Sequence, residues 1–123
     1  MRSRKLLVTL SLALLISAGA ALASFVCVRH WEGTAPMTTE AFPIRTRSWL
    51  INYATAEKVQ HGSLFFGVIV YRLTADGGEY VDSFNTLSAG PGRTWVHSGP
   101  GQYYLQIFAG NAVYSISAYE YRE

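Results

Sequence analysis

Past residue 42 the chain alternates. Trp49, Ile51 and Tyr53 flank Leu50 and Asn52; Tyr103, Leu105 and Ile107 flank Tyr104 and Gln106; Tyr114, Ile116 and Ala118 flank Ser115 and Ser117. A period of two sends successive side chains to opposite faces of a strand, so each run predicts a β-strand with one face toward a core. Residues 63–73 (SLFFGVIVYRL) differ, being apolar on both parities. That pattern predicts a central strand covered on both faces, with Gly67 marking a bulge or a close approach of neighbouring atoms. Residues 42–44, 80–85 and 93–97 supply shorter β-prone stretches, and Pro43, which cannot donate to a ladder, puts the first at an edge. The last strand, over residues 113–121, is expected to be an edge open to pairing with another chain.

Turn residues stand between all of these runs: Ala75-Asp76-Gly77-Gly78, Gly90-Pro91-Gly92, Ser98-Gly99-Pro100-Gly101 and Gly110-Asn111-Ala112. About seven short strands at this spacing, with no convincing helix among them, predict an all-β fold, a small antiparallel β-sandwich.

The N-terminus has another texture. Arg2, Arg4 and Lys5 precede residues 6–28, which contain no charged residue. As a helix that stretch would be roughly 35 Å long, enough to cross the hydrocarbon core of a bilayer. The positive cluster predicts that the following chain leaves the cytoplasm. Two fates share the segment. Ala21-Leu22-Ala23 is a small-x-small cleavage site for a signal peptide, whereas the apolar run continuing through Phe25-Val26-Cys27-Val28 favours an uncleaved transmembrane anchor. The organisation expected is therefore a leader or anchor over residues 1–28, a spacer over 29–41, and a β-sandwich over 42–123. Trp31, beside Arg29 and His30, fits an aromatic anchor at the membrane interface. Cys27 does not fit a lipidated cysteine, because Val26 stands where a small residue is required and Ser24 where an aliphatic one is.

Charge sharpens the picture. The chain has ten Lys and Arg against eight Asp and Glu, and removing residues 1–23 leaves seven basic and eight acidic residues with no basic run. A nucleic-acid binder would show a basic stripe on the folded unit, so that class is not expected. With a single cysteine no intrachain disulfide can form, and the core must stabilise the domain unaided.

The run Gly99-Pro100-Gly101-Gln102-Tyr103-Tyr104-Leu105-Gln106-Ile107, with Val113-Tyr114-Ser115-Ile116 after it, resembles the closing strands of bacterial exported β-sandwich domains of the pre-peptidase C-terminal type. Phe66-x-Val68-x-Val70-Tyr71 is similar to a strand of related small exported domains. The resemblance spans about half of the β domain and implies a sandwich fold and an exported setting. It brings no catalytic residue with it. Domains of that type usually accompany an enzyme on the same chain, and this sequence has none.

Candidate chemistry is sparse. His61 and His97 lie in or beside turns, no serine sits in a G-x-S-x-G elbow, and no His-x-x-x-His spacing occurs, so no catalytic residues are assigned. Asp76, Glu79 and Asp82 could suggest calcium, but Asp-Gly-Gly is ordinary hairpin chemistry, and Glu79 and Asp82 have opposite parity. No metal and no cofactor are expected. The glycine turns open no helix and so offer no phosphate or nucleotide site. Aromatic residues remain. Tyr104 and Phe108 lie on the parity opposite the core face of their strand, and Trp95 and Tyr71 are further candidates for exposure. An exposed aromatic strip suits a glycan or a protein partner in the cell envelope. The expectation is a non-enzymatic binding or interaction module outside the cytoplasm, membrane-anchored or secreted. A purely structural envelope protein is the alternative, and a small hydrolase or calcium-dependent domain a more distant one.

Overall fold

A computed structural model of the chain describes residues 24–122. The alternating runs form strands β1 (Ser24–Gly33), β2 (Met37–Thr38), β3 (Phe42–Ile44), β4 (Trp49–Glu57), β5 (Phe65–Thr74), β6 (Gly77–Thr86), β7 (Gly90–Val96), β8 (Gly101–Gly110) and β9 (Ala112–Arg122). They make two antiparallel sheets. Sheet A has the order β1-β9-β4-β7; sheet B has the order β2-β8-β5-β6, with β3 also pairing with β8. The expected β-sandwich is therefore present among the described residues. Of the apolar helix expected over residues 6–28, residues 6–23 lie outside them. Among the described residues, no helix is long and apolar enough to cross a membrane.

The two sheets face each other across one apolar core. Sheet A contributes Trp31, Trp49, Ile51, Tyr114 and Ile116, and sheet B contributes Phe42, Phe66, Val68, Tyr103 and Leu105. Aromatic rings run through it in contact, from Trp31 to Phe42 at 5.3 Å, Phe42 to Trp49 at 5.6 Å and Trp49 to Tyr103 at 4.9 Å. Such tilted and edge-on pairs bury large areas per residue, which suits a small domain without disulfides. Thr39, itself buried, extends the β2 ladder by one step: its N–H donates to the Leu105 carbonyl, and its hydroxyl accepts from the Leu105 N–H.

Turn chemistry follows the sequence. Thr74 and Gly77 close the β5–β6 hairpin, with Gly77 at φ 114°. Asn111, at φ 53°, turns β8 of sheet B into β9 of sheet A. Its side-chain oxygen accepts from Val59 N–H at 2.7 Å and its amide donates to Val59 O at 3.1 Å, which ties the loop between β4 and β5 to that turn.

Four expectations are corrected. The spacer over 29–41 and the end of the 1–28 segment are structured: β1 runs from Ser24 to Gly33 and pairs with β9 along its length, with a bulge between Cys27 and Arg29. Trp31 is consequently a core residue rather than an interface anchor. For the same reason β9 is not an open edge, since it lies between β1 and β4. Lastly, β5 is central but covered on one face only. Phe66, Val68 and Val70 are buried, whereas Phe65 and Leu73 on the other parity are exposed.

Candidate functional site

The four aromatic residues singled out from the sequence separate into two places. Tyr71 and Tyr104 are cross-strand partners on the outer face of sheet B, their rings stacked at 5.1 Å and 18°. Tyr80 pairs with Tyr71 from the other side, so three tyrosines form a row across β6, β5 and β8. The Tyr71 hydroxyl donates to Gln106 Oε1 at 3.4 Å. Phe108 is on the same face and 37% exposed, with Tyr80 60% exposed. The ring of Tyr104 reaches across the sheet to Gly78, where any Cβ would overlap its hydroxyl. Gly78 thus gives this ring room to lie flat.

Trp95 is on the opposite side of the molecule, on the outer face of sheet A, and 37% exposed. Its ring lies parallel to that of His97 at 6.2 Å and contacts Phe25 and Tyr121, each at 6.0 Å. Leu50, its cross-strand partner, is buried in this outer cluster. One continuous strip containing Trp95, Tyr104 and Phe108 therefore does not exist. Trp95 on β7 and Tyr104 and Phe108 on β8 all point outward, but from different sheets.

The histidines considered for catalysis stay apart. His97 Nδ1 lies 2.9 Å from the Ser48 hydroxyl; His61 is exposed in a loop, where its backbone N–H donates to Glu57 Oε1. Asp82 accepts from the Ser83 N–H, and no cluster of metal-ligating residues exists among those described.

Sequence reasoning missed a second hydrogen-bonded group, because it assigned residues 29–41 to a spacer. His30 on β1 has both ring nitrogens engaged. One lies 2.7 Å from the Ser117 hydroxyl and the other 2.9 Å from a Glu32 carboxylate oxygen. With Nε2 protonated, His30 donates to Glu32 and accepts from Ser117. Serine, histidine and carboxylate in line have the order of a hydrolytic relay. Here, however, the His30 and Glu32 side chains are 44% and 72% exposed, and water at that face competes for every hydrogen bond.

The main buried charge is Glu120, 1% exposed at the end of the core. Burial pushes its carboxyl up, but the Arg45 backbone N–H, donating at 2.6 Å, and the Arg122 guanidinium beside it outweigh that and hold it below the usual range. Burial also raises the Tyr114 hydroxyl, which donates to Ala35 O at 2.7 Å.

No family model matches the chain, and no curated protein matches it. Among solved structures, it is similar to a Sulfurospirillum deleyianum protein over 80% of this chain and 96% of that one, at 7% identity and a TM-score of 0.48. It is also similar to the C-terminal domain of a structural protein from Sulfolobus turreted icosahedral virus, at 14% identity over 79% and 98% of the two chains, TM-score 0.48. A third likeness is to a protein of Bacillus endospore appendages described as disulfide-linked pili, at 15% identity over 82% and 85%, TM-score 0.45. Likenesses at this level say nothing about what the chain does.

Proposed function

We propose that this chain is an exported, non-enzymatic β-sandwich module of the cell envelope that engages a protein partner through the outer face of sheet B. The observation behind this reading is the outward parity of the central strand β5. Phe65, Ile69, Tyr71 and Leu73 all point away from the core, and Phe65 and Leu73 are exposed. Tyr104 and Phe108 extend the same apolar surface on β8. An outward apolar row on a central strand is larger than singly scattered exposed residues and suits a face that another molecule covers. The stacked pair Tyr71 and Tyr104 adds rigid contact area with little side-chain entropy to lose.

Export rests on the basic cluster and apolar run of residues 1–23. The position of β1 favours removal of that leader over retention as an anchor. The residues that extended the apolar run, Phe25 to Val28, belong to a strand paired with β9 and so are not part of a membrane helix. Intact mass of the processed protein tests this: loss of residues 1–23 is expected, and a full-length chain in the membrane fraction would refute it.

The partner surface is tested by a photo-crosslinking residue at Phe108, with one at the exposed loop residue Val59 as control, in cells making the full chain. A discrete adduct is expected from position 108 only, lost in Tyr71→Ser/Tyr104→Ser and reduced in Gly78→Ala, which displaces the Tyr104 ring. Equal labelling at both positions, or an adduct indifferent to these substitutions, would sink the reading. An adduct of twice the chain mass would identify the partner as a second copy.

A further inference from the structure

We infer that the outer face of sheet A is a saccharide-binding site. Three bands of different chemistry follow one another along its strands. The first is the aromatic shelf of Trp95, Phe25, Tyr119 and Tyr121, in which Phe25 lies 5.1 Å from Tyr121 and 6.5 Å from Tyr119. The second is a polar row one step further on. The register puts His30 opposite Ser117, Ser117 opposite Asn52 and Asn52 opposite Arg93, one residue from each of the four strands. At the usual strand spacing that row is roughly 14 Å across. The third is an open depression of about 560 Å³, floored by small side chains including Ala54, Ala56 and Ser115 and bounded by Glu32.

A pyranose ring presents apolar C–H faces and a rim of hydroxyls that both donate and accept. The C–H faces match a half-exposed indole. The hydroxyls match the amide of Asn52 and the guanidinium of Arg93, which together supply donors and acceptors in fixed planes. Two features make the row ready to bind. His30 is clamped on both sides, by Ser117 and by Glu32, so its ring is held in place. Arg93 and Asn52 are exposed, and Arg93 forms no ion pair among the described residues, so its donors are free for a ligand. One acidic and one basic residue offset each other here, which fits a neutral ligand better than a phosphate or a polyanion. The depression beyond the row leaves space for a second ring or a substituent. The outer face of sheet B differs in carrying a larger apolar share, with Phe65 and Leu73 exposed, and its Gln106 is already engaged with Tyr71. This site is therefore independent of the partner surface proposed above.

The tryptophans make the test specific. Trp31 and Trp49 are buried, so acrylamide quenching and ligand-induced changes in emission report on Trp95. The processed protein is titrated to millimolar concentration with trisaccharides of glucose, galactose, mannose, xylose and N-acetylglucosamine, while backbone amide shifts are recorded in parallel. At least one sugar is expected to give a saturable change, protect Trp95 from acrylamide and shift amides of β4, β7 and β9. Trp95→Ala, read by amide shifts, and Asn52→Ala/Arg93→Ala, read by either method, are expected to weaken binding roughly tenfold or more. Tyr71→Ser on sheet B should leave it unchanged. No saturable response to any of the five sugars would overturn the inference, as would binding that survives both sheet A variants.

Discussion

Replacing Trp31 by alanine tests whether β1 belongs to the folded unit. The side chain is buried, its ring sits 5.3 Å from that of Phe42, and its backbone pairs with Ile116. Truncating a buried aromatic to alanine costs about 3–5 kcal/mol, from lost transfer free energy and the cavity left behind. One feature lowers that figure here. Trp31 Nε1 is buried without a hydrogen-bond partner, and an unsatisfied buried donor costs about 1–3 kcal/mol that alanine relieves. We therefore expect Trp31→Ala to lose about 2–3 kcal/mol and Trp31→Phe, which keeps much of the ring and drops the N–H, about 1 kcal/mol or less. For a unit of about a hundred residues, each kcal/mol lowers Tm by roughly 4–8 °C, so the alanine variant should melt more than 8 °C lower. Urea unfolding followed by far-ultraviolet circular dichroism gives the comparison without relying on tryptophan emission. A solvent-exposed spacer residue would change stability by less than about 0.5 kcal/mol. A loss that small for Trp31→Ala would refute the placement of β1, and equal losses for Ala and Phe would refute the role given to the indole N–H.

Glu120 supplies a pH-dependent prediction. Its folded-state pKa is depressed, so its contribution to stability is fully present above the unfolded glutamate value of about 4.3 and is lost as pH falls through the lower folded value. Glu120→Gln should cost about 1–2 kcal/mol at neutral pH, the lower part of the range for charge-assisted bonds because Arg122 is half solvated. The gap between the two proteins in urea midpoint should narrow on acidification below about pH 4; a gap constant with pH would refute the ion pair's role. Gly92→Ala is a steric test: a Cβ there would overlap the end of the Tyr53 ring, which is held by stacking on Phe84 at 4.9 Å. Overpacking of this kind should lower stability by about 1–3 kcal/mol in the same urea assay, and an unchanged midpoint would show that the ring can move aside.

Much of this fold was legible in the chain because its strands are written in period two. Trp49, Ile51 and Tyr53, and likewise Tyr103, Leu105 and Ile107, face inward as alternation predicted, and the glycine and asparagine turns fall where positive φ is observed. Residues 24–33 were not legible, and the reason is physical. Phe25-Val26-Cys27-Val28 is apolar without a break, and next to an apolar stretch of like composition a membrane helix and a paired strand give the same hydropathy. Only β9, about ninety residues away, supplies the hydrogen bonds that decide for the strand, and that pairing has no local signature. The bulge at Val28 also breaks the alternation that would have announced it. The polar row on sheet A was invisible for the same reason, since His30 and Ser117 become neighbours only through that register.

The aromatic candidates show where periodicity reaches its limit. Parity says that Tyr71, Trp95, Tyr104 and Phe108 leave the core, but a sandwich has two outer faces, and the choice between them depends on which sheet each strand joins. β7 and β8 are consecutive and joined by a short turn, yet β7 pairs with β4 in sheet A and β8 with β5 in sheet B. Trp95 is thereby separated from Tyr104 and Phe108 by the full thickness of the domain. The same limit applies to residues 63–73. Apolar side chains on both parities state that both faces of a strand avoid water, without stating whether the cover comes from the same chain. Here the fold covers Phe66, Val68 and Val70 and leaves Phe65 and Leu73 exposed. Exposed apolar residues on a central strand are what the proposed partner surface rests on. That mismatch between pattern and burial is the physical ground for the partner proposed on sheet B, whereas the saccharide proposed on sheet A rests on an aromatic shelf running into a polar row.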